Sequence, residues 1–411
     1  QLYPAANPYN LIPAATYGGV TGAATLTEES RFPFEQRITP WTLTDNLSKT
    51  FGSHMAKVGM TADWVATRAV SYGGKPFGSF TFSTNSTNPL DTGYAYANGA
   101  LGVFYSYTEA SSRPIQHSRQ RNVEWFVQDN WRVNRRLTLD YGVRFYWIDP
   151  VYDRDDAVSG FVPSAYTSAD AVKLIQPVML NGKRAGVNPN TGAYTVAAMI
   201  GAIASGAGSP YNGMVVASQN KSYPHGMIDN RGIQVAPRAG FAYDVFGNAK
   251  TAIRGGFGTF YNRHGWSIFN GLSALPPLVD NPTLYYGDIS TFLSSAGVLF
   301  PSSVTGLDRI GKVPTVMNYS FSVQQNVGFG TVVDVGYVGS LGRHLLWARN
   351  LNSIPLGANF KSENIDPTTG SAYSAAFLRP LTGYGDIAYY ESASSSNYNS
   401  LQVSVNRRFA K

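Results

Sequence analysis

Hydrophobic and polar residues alternate along much of this chain. In NVEWFVQDNWRVNRRLTLDYGVRFYWIDP, residues 122–150, the odd positions hold Val123, Trp125, Val127, Trp131, Val133, Leu137, Leu139, Tyr141, Val143, Phe145 and Trp147. The even positions hold Asn122, Glu124, Gln128, Asn130, Arg132, Thr138, Asp140 and Arg144. A period of two belongs to a β-strand whose two faces meet different surroundings. The parity carries across Asn134-Arg135-Arg136, which predicts one antiparallel hairpin with an apolar face and a charged face.

The pattern recurs. Ala56, Val58, Met60, Ala62 and Trp64 share a face against Lys57, Thr61 and Asp63. Ile233, Val235, Ala239, Phe241, Tyr243 and Val245 continue, past Gly247-Asn248, into Thr251, Ile253, Phe257, Thr259 and Tyr261. Opposite them stand Gln234, Arg238, Asp244, Lys250, Arg254 and Asn262. Tyr319, Phe321, Val323, Val333, Val335 and Tyr337 oppose Asn318, Ser320, Gln324, Asn326 and Asp334. Leu401, Val403 and Val405 oppose Ser400, Gln402, Ser404 and Asn406.

Connections alternate in length. Tight turns fall near Phe51-Gly52, Asn134-Arg135, Gly247-Asn248 and Gly328-Phe329-Gly330, and long connections at about 69–117, 150–231, 264–313 and 343–396. Residues 1–36 read as a further outer loop. Several loops of that size argue against a soluble sheet. They are the rule in outer-membrane barrels, where short turns lie at the periplasmic end and long loops outside. Short helices are expected within the loops at 94–104 and 168–180.

Composition sharpens the choice. Charged residues make up only 14% of the 411, about half the usual share. Gly (42), Tyr (26), Phe (22) and Pro (23) are abundant and cysteine is absent, which excludes disulfides, thiolate metal sites and a cysteine nucleophile. No run of 18 apolar residues exists, so no transmembrane helix is expected. The net charge of +7 is not gathered into a Lys/Arg-rich run, and nucleic acid is not an expected partner.

The expected fold is therefore all-β: an antiparallel transmembrane β-barrel with short periplasmic turns and long extracellular loops, all of residues 1–411 belonging to one barrel domain. Lipid meets the apolar face and a wet lumen meets the polar one, because in hydrocarbon every strand must be paired. The rival is a large soluble β-sandwich, which has no need of Trp, Tyr and Phe on its solvent face. About nine strands of spanning length are expected, whereas complete bacterial barrels have even numbers. The expectation is thus a partial barrel, an internal fragment of a larger one.

Glu124, Arg132, Asp140, Arg144, Arg238, Asp244, Lys250, Arg254 and Asp334 are expected to face the lumen. Arg132, Asp244 and Lys250 lie near the short turns. Trp131, Trp147 and Tyr261 are expected at the lipid interfaces, where amphipathic rings gather. The five histidines show no metal-ligand spacing. DRDD (153–156) lacks regular calcium-loop spacing. RGGFGTF lacks the Lys-Ser/Thr of a phosphate loop, and VGSLG is not a nucleophile elbow. No catalytic residue, cofactor or metal is expected, and the chain is read as non-enzymatic. A barrel hydrolase built on loop His and Asp residues is the minor alternative.

These stretches also resemble a known family. NVEWFVQDNWRVNRRLTLDYGVRFYW is similar to paired barrel strands of TonB-dependent outer-membrane receptors. APRAGFAYDVFGNAKTAIRGGFGTFYNR, IGAIASGAGSPYNGMV, NYSFSVQQNVGFGTVVDVGYVGSLGRHLL and YNSLQVSVNRRF resemble their Oar-like subgroup. The resemblance implies a barrel filled by a plug domain, a solute bound on the outer side, and a periplasmic TonB-type coupling protein that drives gated transport across the bacterial outer membrane. Neither a plug nor a coupling box is recognisable here, so the plug is expected to be absent from this chain. Expected partners are outer-membrane lipid and lipopolysaccharide, the plug and coupling protein, and an unknown bulky solute. Import and export remain open, and a surface adhesion barrel acting through its loops is the alternative.

Overall fold

The computed structural model describes residues 1–27, 35–70 and 74–409. Parts of the expected loops at 1–36 and 69–117, and the last two residues, lie outside the described residues. Nine long strands form one antiparallel sheet: β1 (Gln36–Phe51), β2 (His54–Val70), β3 (Ile115–Arg132), β4 (Leu137–Ile148), β5 (Ile233–Asp244), β6 (Thr251–Tyr261), β7 (Thr315–Gly328), β8 (Thr331–Asn350) and β9 (Tyr384–Arg407). Each pairs with its neighbour in chain order. The sheet is open, for β1 and β9 are not paired with each other. Backbone groups along those outer edges cannot stay unpaired in hydrocarbon, so closure requires further strands or a partner.

Register puts like residues side by side. One rung runs Met60–Trp125–Phe145–Val235 across β2 to β5. In it the rings of Trp125 and Phe145 stack with centroids 5.4 Å apart. The adjacent rung on the opposite face runs Thr61–Glu124–Tyr146–Gln234. The apolar face has nothing packed on it. Val127 is 48% exposed and Leu401 71%, and Trp41, Leu43, Phe257, Phe321 and Tyr337 are exposed likewise. A contiguous apolar surface of this extent is unfavourable in water and natural in lipid. Asp45, opposite Met60 on the outermost strand, interrupts it.

The height of the band can be read from where charge returns to this face. On β3 and β4 those positions are Asp129, beside Tyr141 near the short turns, and Arg121 with Asp149 at the other end. Eight residue steps separate Arg121 from Asp129, roughly 26 Å along the strand and about 20 Å after tilt. Replacing Val127 by Arg should therefore cost about 2–4 kcal/mol of folding stability in lipid. Gln128→Arg, one residue along on the polar face, should cost close to nothing. Urea titrations of refolding into vesicles would compare the two, and equal losses would mean that the faces have been misassigned.

Glycines within the strands are roofed by aromatic rings from the neighbouring strand. The Phe241 ring covers Gly255 and the Tyr319 ring covers Gly339, each so closely that a Cβ there would strike it. Glycine and aromatic abundance thus share one cause, since a ring lying flat across a strand needs a neighbour without a side chain.

The described parts of the long connections, 74–114, 149–232, 262–314 and 351–383, fold into a cap at the end of the sheet opposite the tight turns. The last is shorter than expected at 343–396, because β8 and β9 stay paired through Asn350–Ala388. The cap holds a four-stranded sheet built from three separate segments: Ala14–Tyr17, Ser79–Phe82 with Val103–Thr108, and Thr283–Asp288. Phe80, Phe82, Phe104, Tyr107, Leu284 and Phe292 form one of its cores. A second core gathers Val151, Val158, Val162, Phe269, Leu272 and Leu307.

A helix forms at Ala95–Leu101, ended by Gly102 at φ 76°. None forms over 168–180. There Gln176–Leu180 is a strand paired with Lys183–Val187, because Pro177 cannot continue a helix.

Candidate functional site

The polar face carries the expected charged residues, and the structure divides them into two groups. Near mid-height Arg144 donates to Glu124 through Nε (2.9 Å) and Nη2 (2.6 Å). Its guanidinium lies over the rings of Phe126 and Tyr146. Arg238 donates to the Tyr146 hydroxyl (3.2 Å) and stacks 4.5 Å from the Phe260 centroid. Glu124, Arg144 and Arg238 thus form one linked row across β3, β4 and β5. Asp140 accepts from Gln128 at 2.8 Å. The cross-strand neighbour of Arg238 on β4 is Gly142, and a depression of about 300 Å³ lined by both opens there.

The second group lies at the tight-turn end. Arg132, Arg254, Asp244 and Lys250 come together with Arg135 and Arg136 around a depression of about 500 Å³. Five cations thus line it against one carboxylate. Asp244 is already engaged, accepting from the backbone N–H of Gly247 (3.0 Å) and Ala249 (2.9 Å). Among the described residues no ion pair holds any of the five cations. Arg135 and Arg136 were read only as turn residues. The signal for them was present, since Arg132, Arg135 and Arg136 fall within five positions. Asp334 shares the polar face on β8 opposite Gln324, which lines this depression, but does not line it itself.

The aromatic residues occupy the ends of the apolar face. Trp131 stacks on the His54 ring (5.2 Å), which stacks on Phe51 (5.6 Å), beside the tight turns. His54 Nδ1 meets Asp129 at 2.7 Å, and the Tyr141 hydroxyl donates to the same carboxylate oxygen at 3.0 Å. At the other end Trp147 lies under the Arg121 guanidinium, which is paired with Asp149. Tyr261 sits at the expected height but turns inward. Pairing of β5 with β6 stops at Arg238–Gly258, and beyond it the Tyr261 hydroxyl donates to Val235 O (3.2 Å) while its ring meets Tyr146 edge-on.

In the cap, DRDD works as a clasp. Asp153, 1% exposed, accepts from the backbone N–H of His117, Asp155 and Ala157. Asp155 pairs with Arg154 and with His117 Nδ1 (2.6 Å), and Asp156 with His225 Nδ1 (2.5 Å). The three carboxylates therefore serve three different sets of partners. Hydrogen bonds from Arg154 and then His117 hold the Asp155 carboxyl down to about 2.

His264 is half-buried beneath the cap, with Nε2 2.9 Å from the Ser392 hydroxyl. The space beside this pair is about 20 Å³, room for little more than a water. Burial pushes the His264 pKa down. The unfolded chain therefore binds its proton more readily than the folded one, and stability falls as pH drops below the ordinary histidine value of about 6.5. We expect amide protection around Leu307–Gly311 to weaken between pH 7 and 5, and His264→Gln to flatten that dependence. Hydrogen exchange with an unchanged slope in the variant would rule it out.

Solved structures that resemble the chain include several larger ones. The outer membrane transporter YddB from Escherichia coli has a TM-score of 0.42 and 11% identity, covering 90% of this chain and 30% of that one. The copper transporter OprC has a TM-score of 0.37 and 10% identity, covering 91% and 36%. The siderophore receptor PirA from Pseudomonas aeruginosa has a TM-score of 0.37 and 9% identity, covering 90% and 40%. The chain thus spans well under half the length of each. No curated protein matches its sequence. The family model described as outer membrane beta barrel domain matches residues 2–411. That match, on a sheet with one lipid-facing and one polar side, places the chain in the outer membrane beta barrel domain family and in the bacterial outer membrane.

Proposed function

We propose that the chain is the barrel portion of an Oar-like TonB-dependent outer-membrane transporter, which takes a bulky solute across the membrane by energy-coupled gating. The observation that carries this reading is the basic depression at the tight-turn end of the polar face, with five cations and one engaged carboxylate. Positive charge gathered in a confined space repels itself. An occupant bearing carboxylates relieves it, and a plug inserted from the periplasmic side is an occupant of that kind. The linked row of Glu124, Arg144 and Arg238 then lines the passage above, and the cap receives the solute. Lipid and lipopolysaccharide surround the apolar face, and a TonB-type protein acts from the periplasm. The reading includes no catalytic step.

The test is uptake by cells with and without the protein, using labelled oligosaccharide, peptide and ferric-chelate probes. Accumulation that depends on the protein and stops with a protonophore supports the reading. Accumulation that is equal in both strains, or indifferent to the proton gradient, sinks it. The alternative is a surface adhesion barrel, favoured by the extent of folded cap. Loss of cell contact on trimming the cap, with no uptake at any stage, would establish that instead.

A further inference from the structure

Four of the long connections meet around a cavity of about 330 Å³ in the cap. Its walls come from residues as far apart as Gly74, Tyr211, Asp280, Ser303 and Gly383. The volume lies within the range of small-ligand sites. It opens on the side of the sheet away from the tight turns, where an incoming solute arrives.

The chemistry of the walls is selective. Asp280 is the sole charged side chain among the described lining residues, and no Lys, Arg or His reaches the cavity. An anionic chelate would therefore meet a carboxylate and no compensating cation. The Tyr211 hydroxyl donates to Asp280 Oδ2 at 2.7 Å, which fixes the carboxylate at the wall. Burial, and then that bond, pushes the Tyr211 pKa up to about 12, so it stays a neutral donor at any physiological pH. Beside it the buried Asn281 Oδ1, packed on Gly74, has no hydrogen-bond partner among the described residues. A buried acceptor left unpaired costs about 1–3 kcal/mol, which a ligand donor can recover. Ser303 Oγ accepts from the Asp386 N–H, leaving its own proton for a ligand oxygen. The rest of the wall includes Leu275 and Phe300, an apolar shelf.

We infer that this cavity is a binding site for a neutral, hydroxyl-rich ligand of saccharide size. Ligand hydroxyls donate to Asp280 and Asn281 and accept from Ser303, and the C–H face of a sugar ring lies on the apolar shelf. A ring of this kind is amphipathic in the same sense as the cavity. Acceptors and hydroxyls alone would suit any donor, but the shelf adds the requirement for an apolar face. The inference deepens the transport reading by naming a solute class, yet it concerns binding and stands or falls without transport.

Gly271 supplies a clean test. It lines the cavity, and beyond its own chain neighbours and helical turn no atom lies within 4 Å of where its Cβ would stand. Gly271→Phe therefore starts a bulky side chain at the wall without its Cβ striking packed atoms. Asp280→Asn removes the charge and keeps the shape. Calorimetry on the purified full chain, in a detergent without a sugar headgroup, would titrate maltose, cellobiose and lactose alongside glucosamine and ferric citrate. We expect one or more neutral disaccharides to bind, with at least about tenfold loss in Gly271→Phe and a smaller loss in Asp280→Asn. Unchanged circular dichroism and strand protection in both variants would show that the cap is intact. Preference for ferric citrate or for the amine, no binding to any disaccharide, or binding indifferent to Gly271→Phe would each overturn the inference. Binding without uptake would defeat the transport reading alone, and uptake without binding at this cavity would defeat this inference alone.

Discussion

Gly142→Val should destabilise the barrel by about 3 kcal/mol, near the upper end for forced overpacking. Gly142 lies on the polar face of β4, opposite Gln128 and Arg238. A Cβ there would come within 2.5 Å of Val127 O and 2.9 Å of Gln128 Cα. Those are backbone atoms of the paired strand, which cannot rotate away as a side-chain tip can. The hairpin of β3 and β4 must therefore separate or shift. Gly240→Ala is the control, because its Cβ would meet nothing closer than Gly255 O at 3.4 Å. Urea unfolding in lipid, followed by tryptophan fluorescence, reads both. If Gly142→Val moves the midpoint no more than Gly240→Ala does, the close approach of β3 to β4 is wrong.

The second large effect is confined to the cap. Glu109 is fully buried, and its carboxylate accepts from the Tyr107 hydroxyl (2.6 Å), Leu2 N (2.6 Å) and Tyr3 N (3.0 Å). It ties the start of the described chain to the four-stranded sheet. Glu109→Ala leaves three donors without an acceptor, the Tyr107 hydroxyl buried and the two backbone N–H groups half-buried; a buried donor costs about 1–3 kcal/mol and a half-buried one less. The local cost should reach about 3–5 kcal/mol, enough to open that part of the cap while β1 to β9 remain paired. Hydrogen exchange should show lost protection at Ala14–Tyr17 and Ser79–Phe82 and unchanged protection in Ile115–Arg132. Glu109→Gln keeps one carbonyl acceptor and should fall between. Uniform loss across the sheet, or no loss anywhere, would show that Glu109 does not anchor the cap in this way.

The two effects lie in parts of the molecule that differ in how far they could be read beforehand. The hairpin of β3 and β4 was legible residue by residue. Its faces follow from parity, because a strand side chain has only two directions to point, and its turn from Asn134-Arg135-Arg136; the pairing of Trp125 with Phe145 came with the register. The charged set on the polar face was legible for the same reason. Nothing in parity separates Glu124, Arg144 and Arg238, which are linked, from Arg132, Lys250 and Arg254, which gather without counter-charges. That division depends on register between strands, and on Gly142 leaving room beside Arg238. Tyr261 was legible in height but not in direction, since its turn toward Tyr146 begins where pairing with β5 stops.

The cap was the least legible part. Residues 168–180 carry helix-compatible spacing, but Pro177 and the partner strand Lys183–Val187 make Gln176–Leu180 a strand. Nothing in the sequence around Glu109 or Asp280 sets either apart from the other carboxylates. One is a buried anchor and the other a cavity wall only because segments far apart in the chain meet there.

By itself the sequence determined the two-faced strands, their number, the alternation of tight turns with long connections, and hence a membrane barrel. Those properties are local, fixed by a period of two and by the solvent each face requires. Only the tertiary structure decided that the long connections fold into a cap with its own cores, that the basic residues collect at one mouth, and that four connections enclose a cavity. Such contacts join residues up to a few hundred positions apart, and no periodicity along the chain encodes which of them meet.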